Sequence, residues 1–467
     1  MNNTVRPARN SQKMLRSIEG FIEVALLTVI YYLVWQNGYS DETFPQYLGY
    51  GKFVLMGVYA LVLTFVFNNF DSFQFGYLRL TDLTLSQWLS LLMVNFITYF
   101  QLCLIANVMV SVVPMIALTA LQGVVAFVLP YFYTHIYHAV YSVHRMIMIY
   151  GTDCAVGLKL KMDSRPDKYN IKKMISVDEG IDKICQEILK YDSVILNDVA
   201  AEIRNDILKF CYERGIRCYV TPKLSDIILR GSTEICLFDT PLLLVRGLGL
   251  TFAQRFMKRT LDILLCLIVA VVALPVMLIV AIAIKIEDGG PVFYKQERYT
   301  IGYKKFNILK FRSMIVDAEK EGKSIPATEN DPRITKVGKV IRAMRIDELP
   351  QLLNILKGDM SIVGPRPERV EHVEKYSQEV KEFGYRLKVK GGLTGYAQIY
   401  GKYNTSAYDK LRLDLMYIEN YNILLDIKLI LLTLRIIFKK ESTEGFDKVI
   451  NPAQLNTEDE ESKTATQ

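Results

Sequence analysis

Two adjacent carboxylates, Asp347 and Glu348, stand at the start of an apolar run that reaches Lys357 and stops at Gly358. The pattern predicts a short helix whose first turn holds both acids, where the helix dipole favours ionised acids and can help hold a phosphate. Adjacent residues on a helix do not share a face, so the pair indicates two separate jobs. One carboxylate can act as a nucleophile or a metal ligand while the other orients or balances charge. Plain helix capping is the alternative.

Cations surround this acid pair in the sequence. Arg366 stands between Pro365 and Pro367, and this stiff backbone presents a guanidinium fork that suits two phosphate oxygens. A surface turn is the alternative for Arg366. Residues 291–315 are predicted to form short strands, and they contribute Gln296, Arg298, Lys310 and Arg312. Five further cations lie close by in sequence: Arg333, Lys336, Lys339, Arg342 and Arg345.

Acids amid cations suit Mg²⁺ with a diphosphate better than they suit glycoside hydrolysis or a protease triad. The sequence contains no serine nucleophile elbow and no Walker loop. The net charge is +7, and the segment 441–467 holds seven acids and two Lys, so the remainder is more basic still. A basic body is consistent with phosphate ligands or an anionic membrane leaflet. Nucleic acid is not expected as a partner, because no zinc-finger, helix-turn-helix or RNA-binding motif occurs.

The front of the chain is apolar. Residues 1–150 contain 13 of the 105 charged residues, and none lies between Leu83 and His144. Apolar stretches at 18–36, 52–70, 84–106 and 112–140 predict four membrane spans. Four basic residues precede the first span: Arg6, Arg9, Lys13 and Arg16. They predict a cytoplasmic N-terminus, and four spans then return the chain to the cytoplasm. Near that return, interfacial histidines are favoured over a metal site (His135, His138, His144).

The middle of the chain, from Arg145 to about Leu250, alternates strand-like and helix-like stretches, which is typical of a parallel sheet. Its first turn, G-T-D-C-A-V-G, lacks the G-x-G-x-x-G that binds a pyrophosphate. A structural, dimerising or regulatory module is therefore favoured over a dinucleotide site. The seven scattered Cys form no C-x-x-C, which indicates reduced thiols at a cytosolic face.

A second apolar region precedes the acid pair. Residues 263–284 carry no formal charge, and a helix of this length is long enough to cross a bilayer. However, Pro275 lies near the centre of the run, and the residues on both flanks are basic. The pattern predicts a helix, a break and a second helix that dip into one leaflet and return; an ordinary kinked span is the alternative. Residues 423–440 fit an interfacial helix, with Lys428, Arg435 and Lys439 on one face, or a buried core helix.

From about Arg255 to Lys440 the chain resembles the bacterial sugar transferases, which are monotopic phosphoglycosyl transferases. The motifs that carry the resemblance are K-R-T-L-D, K-F-R-S-M, I-D-E-L-P-Q-L, L-K-G-D-M-S-I-V-G-P-R-P and G-L-T-G-Y-A-Q. The front and middle of the chain are similar to the larger members, which start exopolysaccharide, capsule or O-antigen repeat units on undecaprenyl phosphate.

The resemblance implies roles for particular residues. Asp347 matches the family's nucleophile and Glu348 its acidic partner, with Mg²⁺ near both. Arg366 matches an arginine that contacts phosphate, and Pro275 the residue that bends the re-entrant helix. Further residues are expected to bind phosphate or substrate: Arg298, Lys310, Arg312 and Asp426.

The implied fold is a membrane protein with a four-helix transmembrane bundle (1–145), a Rossmann-like α/β middle domain (146–250), an α/β monotopic catalytic domain with a re-entrant membrane helix (255–440) and an acidic disordered tail (441–467). The implied reaction transfers a hexose 1-phosphate from a UDP-hexose to undecaprenyl phosphate at the cytoplasmic face of the bacterial inner membrane. The phospholipid bilayer is an expected partner, and the formation of a homodimer is left undecided by the sequence. Two alternatives remain: an inert transferase-like scaffold of polysaccharide assembly, and an NAD-dependent dehydratase or epimerase, which would require a better glycine fingerprint and a catalytic Y-x-x-x-K.

Overall fold

The computed structural model describes residues 5–40, 49–141, 143–151, 155–247, 249–316, 318, 331–401 and 405–437 of the 467-residue chain. The chain forms two compact units, which divide between Thr221 and Pro222. The predicted limits at 145, 250, 255 and 440 remain predictions. The acidic tail at 441–467 lies outside the described residues, as do Asp153, Lys439 and the side chain of Arg435.

The first unit begins with four long helices: α1 (Val5–Gly38), α2 (Gly51–Asn69), α3 (Leu80–Ala106) and α4 (Val113–Val140). Helix α1 packs on α2 and α4, and α3 packs on the same two helices. Outward-facing positions are apolar, such as Phe21 and Phe53, while Tyr59, Asn95 and Gln122 hydrogen-bond to one another inside. The apolar outer surface is what a helix group needs when lipid surrounds it.

A four-stranded parallel sheet completes the first unit. Its strands are β1 (Arg145–Tyr150), β2 (Asn170–Ser176), β3 (Ser193–Asn197) and β4 (Arg217–Val220), in the order β2-β1-β3-β4. The helices between them are α5 (Ala155–Asp163), α6 (Ile181–Ile188) and α7 (Ala201–Arg214). This confirms the predicted α/β character. The sequence did not indicate β2, because two lysines interrupt its apolar pattern.

The second unit begins with α8 (Leu224–Arg230), β5 (Thr233–Leu237), β6 (Thr240–Leu244), α9 (Phe252–Asp288), β7 (Phe293–Tyr299) and β8 (Lys305–Phe311). It continues with α10 (Lys336–Ala343), α11 (Gln351–Lys357), β9 (Ser361–Val363) and α12 (Val370–Glu379). It ends with β10 (Gly392–Thr394), α13 (Tyr396–Tyr400), α14 (Ala407–Glu419) and α15 (Ile423–Ile437). Strands β7 and β8 are antiparallel, β9 and β10 are parallel, and one core gathers side chains from α8, α12, α14 and α15.

Helix α9 is continuous over 37 residues and runs through Pro275, where the sequence predicted a break. One stripe of the helix is buried on both sides of this proline. Cys266 and Ala273 pack against β8 and α11, and Ile284 packs against Phe311 and α10. The opposite side exposes apolar side chains, which are Leu264, Leu267, Ile268, Val271, Val272, Leu278, Ile279 and Ile282. Both halves of α9 therefore lie against the same α/β unit, with an apolar surface facing outward.

Candidate active site

The acid pair lies in a 3₁₀ turn, Ile346–Glu348, between α10 and α11. Arg345 begins the turn in the left-handed region with φ of 54°, and Gly358 ends α11 with φ of 95°. Each uses a positive φ to redirect the chain, which for glycine carries no steric penalty. The predicted helix is thus a turn followed by α11, and the acids sit in the turn before it.

Strand β8 brings Lys310 to this turn, and Asn354 of α11 holds the strand in place. The Asn354 side chain accepts a hydrogen bond from the Leu309 amide (2.9 Å) and donates one to the Asn307 carbonyl (2.8 Å). It is almost fully buried. Because it bonds the backbone on both sides of Ile308, Asn354 fixes the position of β8 relative to α11. Asn354 was not predicted as a site residue, although its polar character within an apolar helix was an available signal.

Glu348 is paired with two cations. Lys310 Nζ lies 2.7 Å and Arg366 Nη2 lies 3.0 Å from the same carboxylate oxygen, Oε1. Burial opposes ionisation of Glu348, but Arg366 and Lys310 outweigh it and hold the pKa of this carboxyl well below its usual range. Burial lowers the pKa of Lys310, and Glu348 opposes that effect. The Glu348 side chain therefore stays ionised and is committed to the two cations.

Asp347 differs from its neighbour. Its half-buried side chain makes no hydrogen bond to any residue that the structure describes. Burial raises the pKa of Asp347, the positive charge of Lys310 opposes the rise, and the negative charge of Glu348 adds to it. The pair thus contains one carboxylate bound by two cations and one without a hydrogen bond to the described residues.

The loop that carries Arg366 is held through its backbone. The Gly364 amide donates to the Thr394 carbonyl (2.8 Å), and the Gly392 amide donates to the Pro365 carbonyl (2.9 Å). The Arg366 side chain is 42% exposed, so it can reach a ligand while it bonds Glu348. A cation held this way is suited to a phosphate group next to the acid pair.

A buried ion pair supports the same loop from behind. Arg386 donates to the Arg366 carbonyl at 2.9 Å and lies 2.9 Å from Oδ2 of Asp414. Both side chains are at most 2% exposed, and burial raises the pKa of Asp414 to about 6 although Arg386 opposes the shift. Glu368 also lies beside Arg386 (3.7 Å) and beside Lys410 (3.5 Å). These residues share no motif, and none of them was predicted as a site residue from the sequence.

Arg298 lies beside this loop without contacting the acids. It donates to the Pro367 carbonyl (3.2 Å) and to Gln296 (2.5 Å). Burial, reinforced by the nearby positive charge of Arg366, lowers the pKa of Arg298 to about 10. Arg298 is therefore placed to support the loop that carries Arg366. Its contact with a ligand stays a prediction.

The structure places two other predicted site residues away from the acid pair. Arg312 follows the end of β8 and forms an ion pair with Asp288 at the end of α9. Asp426 on α15 is 1% exposed and bonds Lys258 of α9 (2.7 Å) and Tyr417 (2.8 Å). Burial raises the pKa of Asp426, which Lys258 opposes. None of the hydrogen bonds found for these two side chains in the described residues reaches Asp347 or Glu348.

The oxygens around the acid pair suit a magnesium ion. Asp347 offers both carboxylate oxygens, and Oε2 of Glu348 accepts no hydrogen bond from the part of the chain that the structure describes. Magnesium commonly uses one or two carboxylates and completes its shell with water and substrate phosphates. No cluster of three or more His, Cys, Asp or Glu able to hold a metal occurs among the described residues, His135, His138 and His144 included.

Residues 253–440 match the sequence model of the bacterial sugar transferase family. The UDP-glucose:undecaprenyl-phosphate glucose-1-phosphate transferase of Klebsiella pneumoniae is 36% identical over 258 residues, which cover 54% of this chain and 54% of that protein. The UDP-N-acetylgalactosamine-undecaprenyl-phosphate N-acetylgalactosaminephosphotransferase of Aeromonas hydrophila is 43% identical over 39% of this chain and 44% of its own. The uncharacterized sugar transferase EpsL of Bacillus subtilis is 36% identical over 41% of this chain and 93% of its own. The chain thus spans about half the length of the first two relatives.

Proposed function

The chain belongs to the bacterial sugar transferase family, and from this membership we propose that it is a phosphoglycosyl transferase. It transfers a hexose 1-phosphate from a UDP-hexose to undecaprenyl phosphate and releases UMP, as the first membrane step in the synthesis of an exopolysaccharide, capsule or O-antigen. Relatives named as transferases of this kind for UDP-glucose and UDP-N-acetylgalactosamine support the substrate class.

The difference between the two carboxylates carries this proposal. Glu348 is committed to Lys310 and Arg366, whereas Asp347 is free of hydrogen bonds within the described residues. A carboxylate that attacks phosphorus must be ionised and uncommitted, and a neighbouring cation must reduce its repulsion from the phosphate. Asp347 meets both needs, because Lys310 and Arg366 lie at the adjacent Glu348.

The reaction then has two displacements. An oxygen of Asp347 attacks the phosphorus that carries the sugar, the bond from that phosphorus to the bridging oxygen breaks, and UMP leaves with the electron pair. The protein then carries an aspartyl phosphosugar. An oxygen of undecaprenyl phosphate attacks the same phosphorus, the bond to Asp347 breaks, and undecaprenyl diphosphate-hexose leaves. Arg366 and Lys310 offset negative charge in both steps, so that two anionic substrates never need to react directly with each other.

One oxygen of Asp347 and Oε2 of Glu348 would hold Mg²⁺, and the other Asp347 oxygen would remain available for the attack on phosphorus. When bound, the ion neutralises charge on the diphosphate oxygens. Glu348 orients Lys310 and Arg366 toward the same phosphate and keeps them from closing on Asp347. This role follows from its two contacts to one oxygen, which leave its second oxygen for the ion.

The membrane arrangement follows from the distribution of apolar surface. Five helices are long and apolar enough to cross a bilayer: α1 (from Met14), α2, α3, α4 and α9. We infer that α1 to α4 span the inner membrane as a bundle and that α9 lies with its outward apolar surface in one leaflet without crossing the bilayer. The support for the second inference is that both halves of α9 pack on the same α/β unit. The acid pair then lies at the cytoplasmic headgroup level, where UDP-hexose and the lipid phosphate can meet.

The test is conversion of undecaprenyl phosphate by the purified full-length protein with a panel of UDP-hexoses. We expect UMP release and a lipid-linked sugar with at least one donor. Incubation with the donor alone should leave a phosphosugar on the wild type and none on Asp347→Asn, which should also lose turnover. Asp239→Asn, an exposed carboxylate on the β5–β6 turn, is the matched control and should be active. Absence of product with every donor would favour the scaffold, and normal turnover of Asp347→Asn would remove the covalent mechanism.

A further inference from the structure

A small cavity lies within the first unit, where the loop between α2 and α3 and the end of α4 face the parallel sheet. Its volume is about 40 Å³. Tyr77 and Tyr137 line the helix side, and His144, Lys168 and Arg217 line the sheet side. The last three precede or begin β1, β2 and β4, so the cavity lies at the amino edge of the sheet. Parallel sheets bind dinucleotides at the carboxyl ends of their strands, so this cavity is a different kind of site.

The walls of the cavity are held together by specific contacts. Arg165 donates to the Tyr77 carbonyl at 3.4 Å, and Arg79 donates to the carbonyl of the residue before Arg165 at 3.4 Å. Gly76 has φ of 69°, and a Cβ at this position would lie 2.6 Å from the Tyr137 ring. Glycine is therefore needed for this backbone conformation and for the close approach of the ring. The helix side and the sheet side form the cavity without a ligand.

The cavity holds positive charge that the protein leaves without a counter-charge. Lys168 and Arg217 form no ion pair with any residue that the structure describes. Lys168 Nζ lies 4.8 Å from the centre of the Tyr77 ring. Asp167 also lines the cavity, but Arg165 donates to both of its carboxylate oxygens, at 2.9 and 2.7 Å. The charge of this acid is thus already paired, and the two cations remain.

Two titratable groups at the cavity respond to these cations. Burial opposes ionisation of the Tyr77 hydroxyl, but a hydrogen bond with Arg16 and the charge of that arginine lower its pKa. Arg217 and Lys168 act on Tyr77 in the same direction. Burial lowers the pKa of His144, and the charge of Arg217 adds to the effect. Cations that favour the ionised phenol and the neutral imidazole create a positive potential, which attracts an anion.

We propose that this cavity binds a phosphate group, with Lys168 and Arg217 as its charge partners. At roughly 10–15 Å³ for each water, the cavity holds about three waters, which is close to the size of a phosphate group. An ammonium and a guanidinium are the side-chain groups that proteins use to bind phosphate oxygens. A bound phosphate would join the ends of the helices to the sheet. The site is independent of the proposed transferase reaction, whose residues are all in the second unit.

The phosphate has two candidate sources. If α1 to α4 span the inner membrane, the cavity lies near the headgroup level, where an anionic phospholipid supplies the phosphate. The cytoplasm supplies free phosphate and its soluble esters. The two sources share one chemistry and differ in whether the ligand is part of the bilayer, so the test treats them separately.

The test uses full-length protein in two kinds of nanodisc. In phosphatidylcholine nanodiscs, equilibrium dialysis measures the binding of radiolabelled orthophosphate. Without phosphate, the thermal transition is compared between phosphatidylcholine nanodiscs and nanodiscs of equal parts phosphatidylcholine and phosphatidylglycerol. The variants are Lys168→Gln and Arg217→Gln, and the matched control is Lys172→Gln, which removes an exposed charge from β2 of the same sheet. Transition temperatures in phosphatidylcholine alone show that each variant is folded.

We expect saturable orthophosphate binding, or a higher transition temperature with phosphatidylglycerol, and the arm that responds identifies the source. Lys168→Gln and Arg217→Gln should each weaken phosphate binding at least about tenfold, or abolish the lipid response, because each removes a charged partner. Lys172→Gln should behave like the wild type. Arg366→Gln should keep the response that depends on Lys168, which separates this cavity from the acid pair.

Three results would overturn the proposal. The first is the absence of a response in both arms. The second is an equal response in the wild type, Lys168→Gln and Arg217→Gln. The third is phosphate binding that disappears in Arg366→Gln alone, because the phosphate would then be bound at the acid pair.

Discussion

Lys258 Nζ lies 2.7 Å from Oδ2 of Asp426, and the two side chains are only 7% and 1% exposed. The pair joins α9, with its outward apolar surface, to α15. Tyr417 completes the contact, since Lys258 Nζ lies 2.9 Å from its hydroxyl and that hydroxyl donates to Asp426. Asp426 therefore lies where it holds α9 against α15, whereas the resemblance implied a role in binding substrate.

This difference predicts the outcome of a double-mutant cycle. Lys258→Met alone or Asp426→Leu alone leaves one buried charge unpaired and should destabilise the protein by about 3–5 kcal/mol. The double variant should recover most of the loss, because two apolar side chains of similar volume replace the pair. Tyr417 keeps the Val363 carbonyl as an acceptor at 3.3 Å. Denaturant midpoints measure the stability and UMP release measures the activity.

Glu179→Gln is the control for that cycle, because it breaks the exposed pair with Lys183 and should not change the midpoint measurably. If Asp426 acts through α9 alone, the double variant regains activity together with stability. A stable but inactive double variant would show instead that Asp426 contacts substrate.

The pH dependence of the reaction should follow Asp347. Its pKa lies above the usual aspartate value because of burial, and the reaction needs the ionised form. The rate constant kcat/KM should therefore fall as the pH drops through this raised pKa, at a higher pH than for an ordinary aspartate. This acidic limb of the pH profile is measured from initial rates of UMP release between pH 4 and 8, with the donor concentration far below KM.

Removal of the Glu348 charge should shift the pKa of Asp347 in a defined direction. Glu348→Gln deletes the anion that raises the Asp347 pKa and leaves Lys310 and Arg366 to lower it. The acidic limb of the residual activity should move to lower pH. A limb that stays in place would mean that Asp347 is not the group that titrates.

Arg386 should act on the reaction through the position of Arg366. Arg386→Lys keeps a positive charge toward Asp414, but the shorter lysine lacks the guanidinium nitrogen, Nη2, that makes both the ion pair and the hydrogen bond to the Arg366 carbonyl. A displaced phosphate contact of this kind can lower kcat about 100-fold. We expect a loss in kcat with a smaller change in KM, measured by steady-state UMP release.

Arg412→Lys on α14 is the matched control, because Arg412 pairs with Asp409 and has no described bond to the arginine loop. It should keep normal kcat. Equal losses in both variants would indicate a general effect on α14, and an unchanged kcat in Arg386→Lys would remove the positioning role.

Local patterns in the sequence determined several parts of this protein. The strand-like character of residues 291–315 predicted β7 and β8, and Gly358 predicted the end of α11. Apolar runs located α1 to α4, and the motifs between residues 255 and 440 identified the family, which the match over 253–440 confirms. Each of these features depends on neighbours within a few turns or on short motifs, so the sequence contains the information directly.

The tertiary structure decided which charges meet. Lys310 and Arg312 are two residues apart, yet Lys310 contacts Glu348 while Arg312 pairs with Asp288, because β8 ends at Phe311. Arg366 and Asp426 were both predicted to bind substrate, and only Arg366 lies beside the acid pair. Asn354, Arg386 and Asp414 were missed, since residues distant in sequence hold them in place. Burial and long-range packing assign the partner of a charged side chain, and residue type and spacing alone do not contain that assignment.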